Sequence, residues 1–192
     1  MIIAIDGPAA AGKGTLAARL AAHLGLPYLD TGLLYRAVGK RVADHGLDPD
    51  SPVDAARMAA LLDPAELDNP ALRGHGAGEL ASRVAVHPEV RSELLAFQRA
   101  FARRPGGAVL DGRDTGTAIV PEADVKIYVT ASPEVRARRR TDELAAKGRD
   151  LPYERILEEI VARDARDAGR ASAPLAIAAD AVALDTTGLD AD

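Results

Sequence analysis

The sequence predicts an α/β protein in three layers, a central parallel sheet with helices on both faces. Three observations point there. Short apolar runs alternate with longer stretches in which apolar residues recur at helical spacing. A glycine-bounded loop, Gly7-Pro8-Ala9-Ala10-Ala11-Gly12-Lys13-Gly14-Thr15, lies between the first such run and the first helical stretch. Aspartates close two of the strand-like runs, at the edge where open parallel sheets bind ligands.

Each element follows in order. Ile2-Ile3-Ala4-Ile5 reads as a buried strand and 13–24 as an Ala/Leu-rich helix. Leu26-Pro27-Tyr28-Leu29 is a short strand, followed by a helix over 32–45. Ser51-Pro52 has the N-cap and first-turn chemistry of a helix spanning 51–62. Asp63-Pro64, Asn69-Pro70 and Gly74-His75-Gly76 mark a loop over 63–76. Helical patterns over 77–86 and 88–104 are separated by Pro88. Ala108-Val109-Leu110 is a strand ending at Asp111, and 125–129 is another. Ser132-Pro133-Glu134 starts a helix, Leu151-Pro152 starts one reaching Arg170, and Ala181-Val182-Ala183-Leu184 is a last strand.

Composition limits the function classes. The chain of 192 residues suits one domain, and 47% hydrophobic residues supply a sizeable core. With no tryptophan and only two phenylalanines, that core is aliphatic. The absence of cysteine excludes disulfides and thiolate metal sites and agrees with a reducing, cytoplasmic setting. No apolar run approaches the roughly 18 residues of a membrane span, and no signal peptide is read before the first strand. A formal charge of −5 argues against nucleic acid as partner. Lysine is scarce, so positive charge is mostly arginine, the group suited to forked contacts with phosphate.

The loop at 7–15 carries the chemistry. Its glycines let successive N–H groups turn toward an anion, the following helix adds its N-terminal partial charge, and Lys13 adds a mobile full charge. This is a P-loop with one departure: Gly14 stands directly after the lysine, and the hydroxyl that usually holds Mg²⁺ there is displaced to Thr15. A metal is therefore expected to be held mainly through water and nucleotide oxygens, with no protein metal ligands. Other strand ends deliver Asp30-Thr31-Gly32 with Tyr35-Arg36, and Asp111-Gly112-Arg113-Asp114. Asp30 and Asp111 read equally as capping residues, and Arg36 as a solvated helix face. Arg163, Arg166, Asp167 and Arg170 share a helical stripe, and Arg136, Arg138, Arg139 and Arg140 cluster on the preceding helix. Two readings stand for these helices: a solvent-facing salt-bridge network, or an arginine-rich lid over about 140–155 that closes on a triphosphate.

Taken together, Ile5-Asp6-Gly7-Pro8 through Thr15, Leu29-Asp30-Thr31-Gly32 with Tyr35-Arg36, and Ala81-Ser82-Arg83-Val84-Ala85 resemble a known pattern. So do Pro88-Glu89-Val90-Arg91 with Gln98-Arg99, Asp111 through Thr117, and Arg163 through Asp167 with Arg170 and Ala173-Pro174-Leu175. Six motifs in this order resemble the bacterial cytidylate kinases over nearly the whole chain. The resemblance implies a P-loop NTPase fold. Its core would be about 1–36 and 105–192, with a nucleotide-binding insert at about 37–104 and the lid at about 140–155. It implies transfer of the γ-phosphoryl of ATP, with Mg²⁺, to CMP or dCMP, in a cytoplasmic monomer with neither nucleic acid nor membrane as partner. By resemblance, Gly7, Pro8, Ala9, Ala10, Ala11, Gly12, Lys13, Gly14, Thr15 and Arg139 hold ATP. Thr31, Tyr35, Arg36, Ser82, Arg91, Arg113, Asp114, Arg163, Asp167 and Arg170 hold the acceptor, with Lys13, Arg113 and Arg170 acting in catalysis.

Two departures from the pattern stand out. The segment at 63–76 lacks the strand alternation of the β-rich insertion found in that family, so the insert is read as reduced and helical. The sequence stops at Asp192, where relatives continue into a final helix, and apolar sheet surface is expected to stay uncovered. Kinases of UMP or of a metabolite alcohol, and a nucleotide-binding switch, are the rival readings.

Overall fold

Strands β1 (Ile2–Asp6), β2 (Tyr28–Asp30), β3 (Ala108–Gly112), β4 (Val125–Thr130) and β5 (Val182–Asp185) form one all-parallel sheet in the order β2-β3-β1-β4-β5. They are seen in a computed structural model that describes residues 1–74 and 76–190. His75, within the loop expected at 63–76, and residues 191–192 lie outside the described residues. The helices are α1 (Lys13–Leu24), α2 (Thr31–Asp44), α3 (Pro52–Ala60), α4 (Ala77–Val84), α5 (Pro88–Ala102), α6 (Pro133–Ala146) and α7 (Tyr153–Gly169).

Period-two alternation along the strands builds the layers. Ile3, Ile5, Val109 and Val129 face one side and pack on Ala17 and Ala21 of α1. Ala4, Leu29 and Leu110 face the other and pack on Leu34 and Val38 of α2 and on Leu94 and Ala102 of α5. The α6–α7 hairpin has its own small apolar cluster of Ala137, Leu144, Ile156 and Ile160, separate from both sheet faces. β5 is the least covered strand, with Val182 67% exposed.

Capping chemistry sets several boundaries. Ser51 accepts from the Asp54 N–H and Ser132 from the Val135 N–H, each with a proline at the first helical position. The stretch expected as plain loop at 63–76 contains two 3₁₀ turns, Pro64–Asp68 and Pro70–Arg73. Asp63 and Asn69 cap them, so each Asx-Pro pair starts a short helical turn rather than an open loop. A single π-helical turn, Thr115–Ile119, follows β3 and was not expected from the sequence. Among the described residues, no helix is long and apolar enough to cross a membrane.

The sheet order places β1 between β3 and β4, so the chain reverses direction across the sheet beside the P-loop, where open α/β sheets form a ligand crevice. Gly7 makes the approach possible: its φ is +147°, and a Cβ there would lie 1.9 Å from the Val129 carbonyl oxygen. Ala10, with φ 59°, holds a left-handed conformation that a non-glycine residue adopts at a cost.

Candidate functional site

Three strand ends and three helices enclose one cavity of about 280 Å³. The P-loop contributes Ala9, Ala10, Gly12, Lys13, Gly14 and Thr15. β2 and the start of α2 bring Asp30, Thr31, Gly32, Tyr35 and Arg36, and α4 brings Ala81, Ser82 and Ala85. The end of β3 brings Asp111, Gly112, Arg113 and Asp114, and α7 with its C-cap brings Arg163, Asp167 and Arg170. The carboxylates that close β2 and β3 are register partners, Asp30 beside Asp111. Asp30 occupies the N-cap position of α2 without making a side-chain cap bond, so its carboxylate is not consumed by capping.

Hydrogen bonds fix this edge. The Thr31 hydroxyl donates to the Asp111 carbonyl at 2.8 Å, and the Tyr28 hydroxyl donates to the Asp111 carboxylate at 3.2 Å. A Cβ on Gly112 would lie 2.5 Å from the Thr31 hydroxyl and 2.8 Å from the Thr115 methyl, so a larger residue here would displace one of them. Gly14 faces the same Tyr28–Asp111 pair: a Cβ there would lie 3.6 Å from the Asp111 carboxylate. The Lys13 ammonium donates to the Pro8 carbonyl at 2.9 Å. Arg113 donates to Asp167 at 2.9 Å and Arg36 to the Leu72 carbonyl at 3.2 Å.

Burial dominates the electrostatics of this cavity. Burial, with Arg113 and Arg163 near, brings Lys13 down from 10.5 to about 7. Burial and the adjacent Asp30 push Asp111 up to about 6. Burial, with Arg113 close by, lowers Arg163 to about 10. Burial works against Asp167, yet Arg113, Arg163 and Arg170 together hold its carboxyl below the usual range. Buried donors with no hydrogen bond belong to residues lining the same space: Arg36 Nε, Arg170 Nη2, and Arg163 Nε, which stands 3.8 Å from the Asp167 carboxylate. Buried polar groups ordinarily have partners, so this set marks a place built for a ligand rich in acceptors.

Beyond Tyr35 a second cavity, about 230 Å³, is lined by Arg91, Gln98, Asp114, Ile119 and Ala173 among others. Arg91 and Asp114 form a buried ion pair there, with the Arg91 guanidinium 5.6 Å over the Tyr35 ring. Arg91 Nη1 and Gln98 Oε1 have no partner. Burial raises Asp114, opposed by Arg91. Asp114 borders both cavities and joins them.

Most residues expected at the site therefore share one cleft. Lys13, Thr31, Tyr35, Arg36, Ser82, Arg113, Asp114, Arg163, Asp167 and Arg170 line the main cavity, and Arg91 lines the second. Gly7, Pro8 and Ala11 support the loop from behind, with Ala11 fully buried. Arg139 lines neither cavity but stands one residue from the P-loop: its guanidinium donates to the Thr186 hydroxyl, which itself donates to the Ala11 carbonyl, and to the carbonyls of Thr186 and Leu189. Arg136 was not singled out for the site. It is buried and bonds both the Ala9 carbonyl of the P-loop and Asp164 on α7. Arg166, on the expected stripe, donates to Ser82 at 3.2 Å and to Glu79 at 2.6 Å.

Comparison with known proteins agrees with this geometry. A family model described as cytidylate kinase matches residues 3–192. The cytidylate kinase of Rhodopseudomonas palustris (strain ATCC BAA-98 / CGA009) is 57% identical over 190 residues, covering 99% of this chain and 90% of its own. That of Methylocella silvestris is 58% identical over 195 residues, covering 100% and 89%. That of Xanthobacter autotrophicus is 59% identical over 192 residues, covering 99% and 91%. A crystal structure of an uncharacterized protein from Eubacterium ventriosum shares the fold, with a TM-score of 0.57 at 14% identity, over 100% of this chain and 91% of that one. With the P-loop, the arginine-lined cleft and these relatives in agreement, the chain belongs to the cytidylate kinase family of P-loop nucleoside monophosphate kinases.

Proposed function

We propose that the protein transfers the γ-phosphoryl group of ATP to the 5′-phosphate of CMP or dCMP, giving ADP and CDP or dCDP. The observation that carries this is a pair of adjoining cavities: one runs from the P-loop to the arginines at the end of β3 and on α2 and α7, the other holds the Arg91–Asp114 pair, and Tyr35 and Asp114 line both. The ATP phosphates lie along the backbone of Ala9 to Thr15, with Lys13 reaching the transferring group. Arg36 and Arg113 hold the acceptor phosphate from two strand ends, and Arg163 and Arg170 cover it from the lid side. A bond forms between an acceptor phosphate oxygen and the γ-phosphorus as the bond to the leaving ADP oxygen breaks. The acceptor oxygen is already an anion, so no general base is needed and positioning with charge neutralisation carries the step.

The base is read where the two cavities adjoin, by Asp114, which lines both, Ser82 of the main cavity and Arg91 of the second. Cytosine offers an amino donor, which the Asp114 carboxylate accepts, and N3 and O2 acceptors, which Arg91 and Ser82 meet. Uracil sets a carbonyl against Asp114. The unpartnered Arg91 Nη1 leaves a donor for the base after the ion pair is counted.

The residues present also fit a magnesium ion brought in with the nucleotide. Among the described residues, no group of three or more His, Cys, Asp or Glu side chains is placed to hold a metal. The paired Asp30 and Asp111, which line the same cavity as Thr15, suit an ion that keeps most of its waters. These three residues would hold it through that water shell, and the ion supplies neutralisation of the donor phosphates.

A coupled ADP-release assay with ATP and a panel of CMP, dCMP, UMP, AMP and GMP tests the reading. CMP and dCMP are expected to exceed the others in kcat/KM by on the order of 100-fold, because a mismatched base leaves buried polar groups unpaired. Comparable turnover with AMP or GMP rejects it.

A further inference from the structure

We propose that Asp6, a core residue of β1 bordering neither cavity, is a positioning residue for base selection: it takes the capping N–H groups of the π-helical turn, which leaves the Asp114 carboxylate free to face the base. The inference rests on the base-reading role given to Asp114 above.

Asp114 occupies the N-cap position of the turn Thr115–Ile119. An aspartate at a cap ordinarily accepts from the first N–H groups of its own helix. Here it makes no such bond. The Thr115 and Gly116 N–H groups instead donate to the two carboxylate oxygens of Asp6, each at 2.8 Å. Asp6 reaches them because β1 and β3 are neighbours and Asp6 is the register partner of Gly112, two residues before Asp114. Both carboxylates are buried, Asp6 6% exposed and Asp114 4%.

Buried N–H groups need an acceptor. With Asp6 in place the need is met from a different strand, and the Asp114 backbone is also held, its carbonyl accepting from the Ala118 and Ile119 N–H groups at 2.9 and 3.1 Å. The Asp114 carboxylate is then available to Arg91 and to both cavities. Without Asp6, the acceptor at hand for the orphaned N–H groups is the Asp114 side chain, and turning back to cap its own turn takes it away from Arg91.

The test compares kcat/KM for CMP and for UMP, and KM for ATP, in the full-length enzyme and in Asp6→Asn, Asp114→Asn and the double variant. Asparagine keeps the size of Asp6 but turns one acceptor into a donor facing an N–H. At position 114 it can present an N–H to the uracil carbonyl. Asp6→Asn is expected to reduce the CMP-over-UMP preference by about tenfold while changing KM for ATP less than about twofold. The double variant is expected to lose no more preference than Asp114→Asn alone, since residues acting through one group are not additive. An unchanged CMP-to-UMP ratio in Asp6→Asn, or losses that multiply in the double variant, overturns the proposal. An unchanged ratio in Asp114→Asn overturns the base-reading role beneath it, a separate and distinguishable failure. Should Asp6→Asn fail to fold, Asp6→Ser, which keeps one acceptor, carries the same comparison with the same outcomes.

Discussion

At the P-loop end, Lys13 is buried with its ammonium on one backbone carbonyl, and that burial, with Arg113 and Arg163 near, brings it below its ordinary value. At the far end, Arg91 and Asp114 neutralise each other in an equally buried setting. The first region holds unspent positive charge and unpartnered donors, so it gains most from an anion. The second is paired before any ligand arrives, so it discriminates by what a base does to the pair. The difference teaches that rate and selectivity are carried by two adjoining cavities that share Tyr35 and Asp114.

The largest effect is expected where the charge is unspent. Lys13→Ala should lower kcat by 100-fold or more, about 3 kcal/mol of transition-state stabilisation, without unfolding the protein. Steady-state kinetics with CMP, beside circular dichroism, measure it; near-normal turnover in a folded variant removes Lys13 from the transferring phosphate. Arg113→Lys keeps the charge but loses the planar fork shared with Asp167, and is expected to cost about tenfold in kcat/KM for CMP. A variant as active as the parent would reduce Arg113 to a structural partner of Asp167.

A smaller effect sharpens the comparison through protons. The folded protein lowers Lys13 relative to its unfolded value, so the charged form is disfavoured and stability from this group rises with pH between about 7 and 10.5. A bound polyphosphate favours the charged form and raises Lys13 again. At about pH 8, ATP binding should therefore take up a fraction of a proton, up to about one. Calorimetry in buffers of different ionisation enthalpy reads this directly. Cytidine, which lacks phosphate, should bind without the uptake, and equal uptake for both ligands would place the titrating group outside the P-loop.

Much of this was legible in the sequence, for physical reasons that also explain the gaps. β1, β3 and β4 are short apolar runs with clear ends, and the P-loop is contiguous, so a linear reading captures it. Ser51 and Ser132 announce their helices by the same capping chemistry the structure shows. The π-helical turn at 115–119 is too short for any periodicity to register. Asp30 and Asp111 remained ambiguous between cap and site because only the register of β2 against β3 sets them side by side. Arg139 and Arg136 share a helix and a charge, yet one bonds the segment after β5 and the other bonds the P-loop. They stand three positions apart on α6, and which partner each meets is decided by elements distant in sequence. Asp6 had no signal of its own, since its partners lie more than a hundred residues away.

The claim that rate and selectivity are carried by different cavities is tested most directly by measuring kcat/KM for CMP and for UMP in Lys13→Ala and in Asp114→Asn. Lys13→Ala is expected to lower both values by the same factor and leave their ratio unchanged. Asp114→Asn is expected to change the ratio, by lowering CMP and raising UMP. A Lys13 variant that alters the ratio, or an Asp114 variant that lowers both substrates equally, would contradict the account.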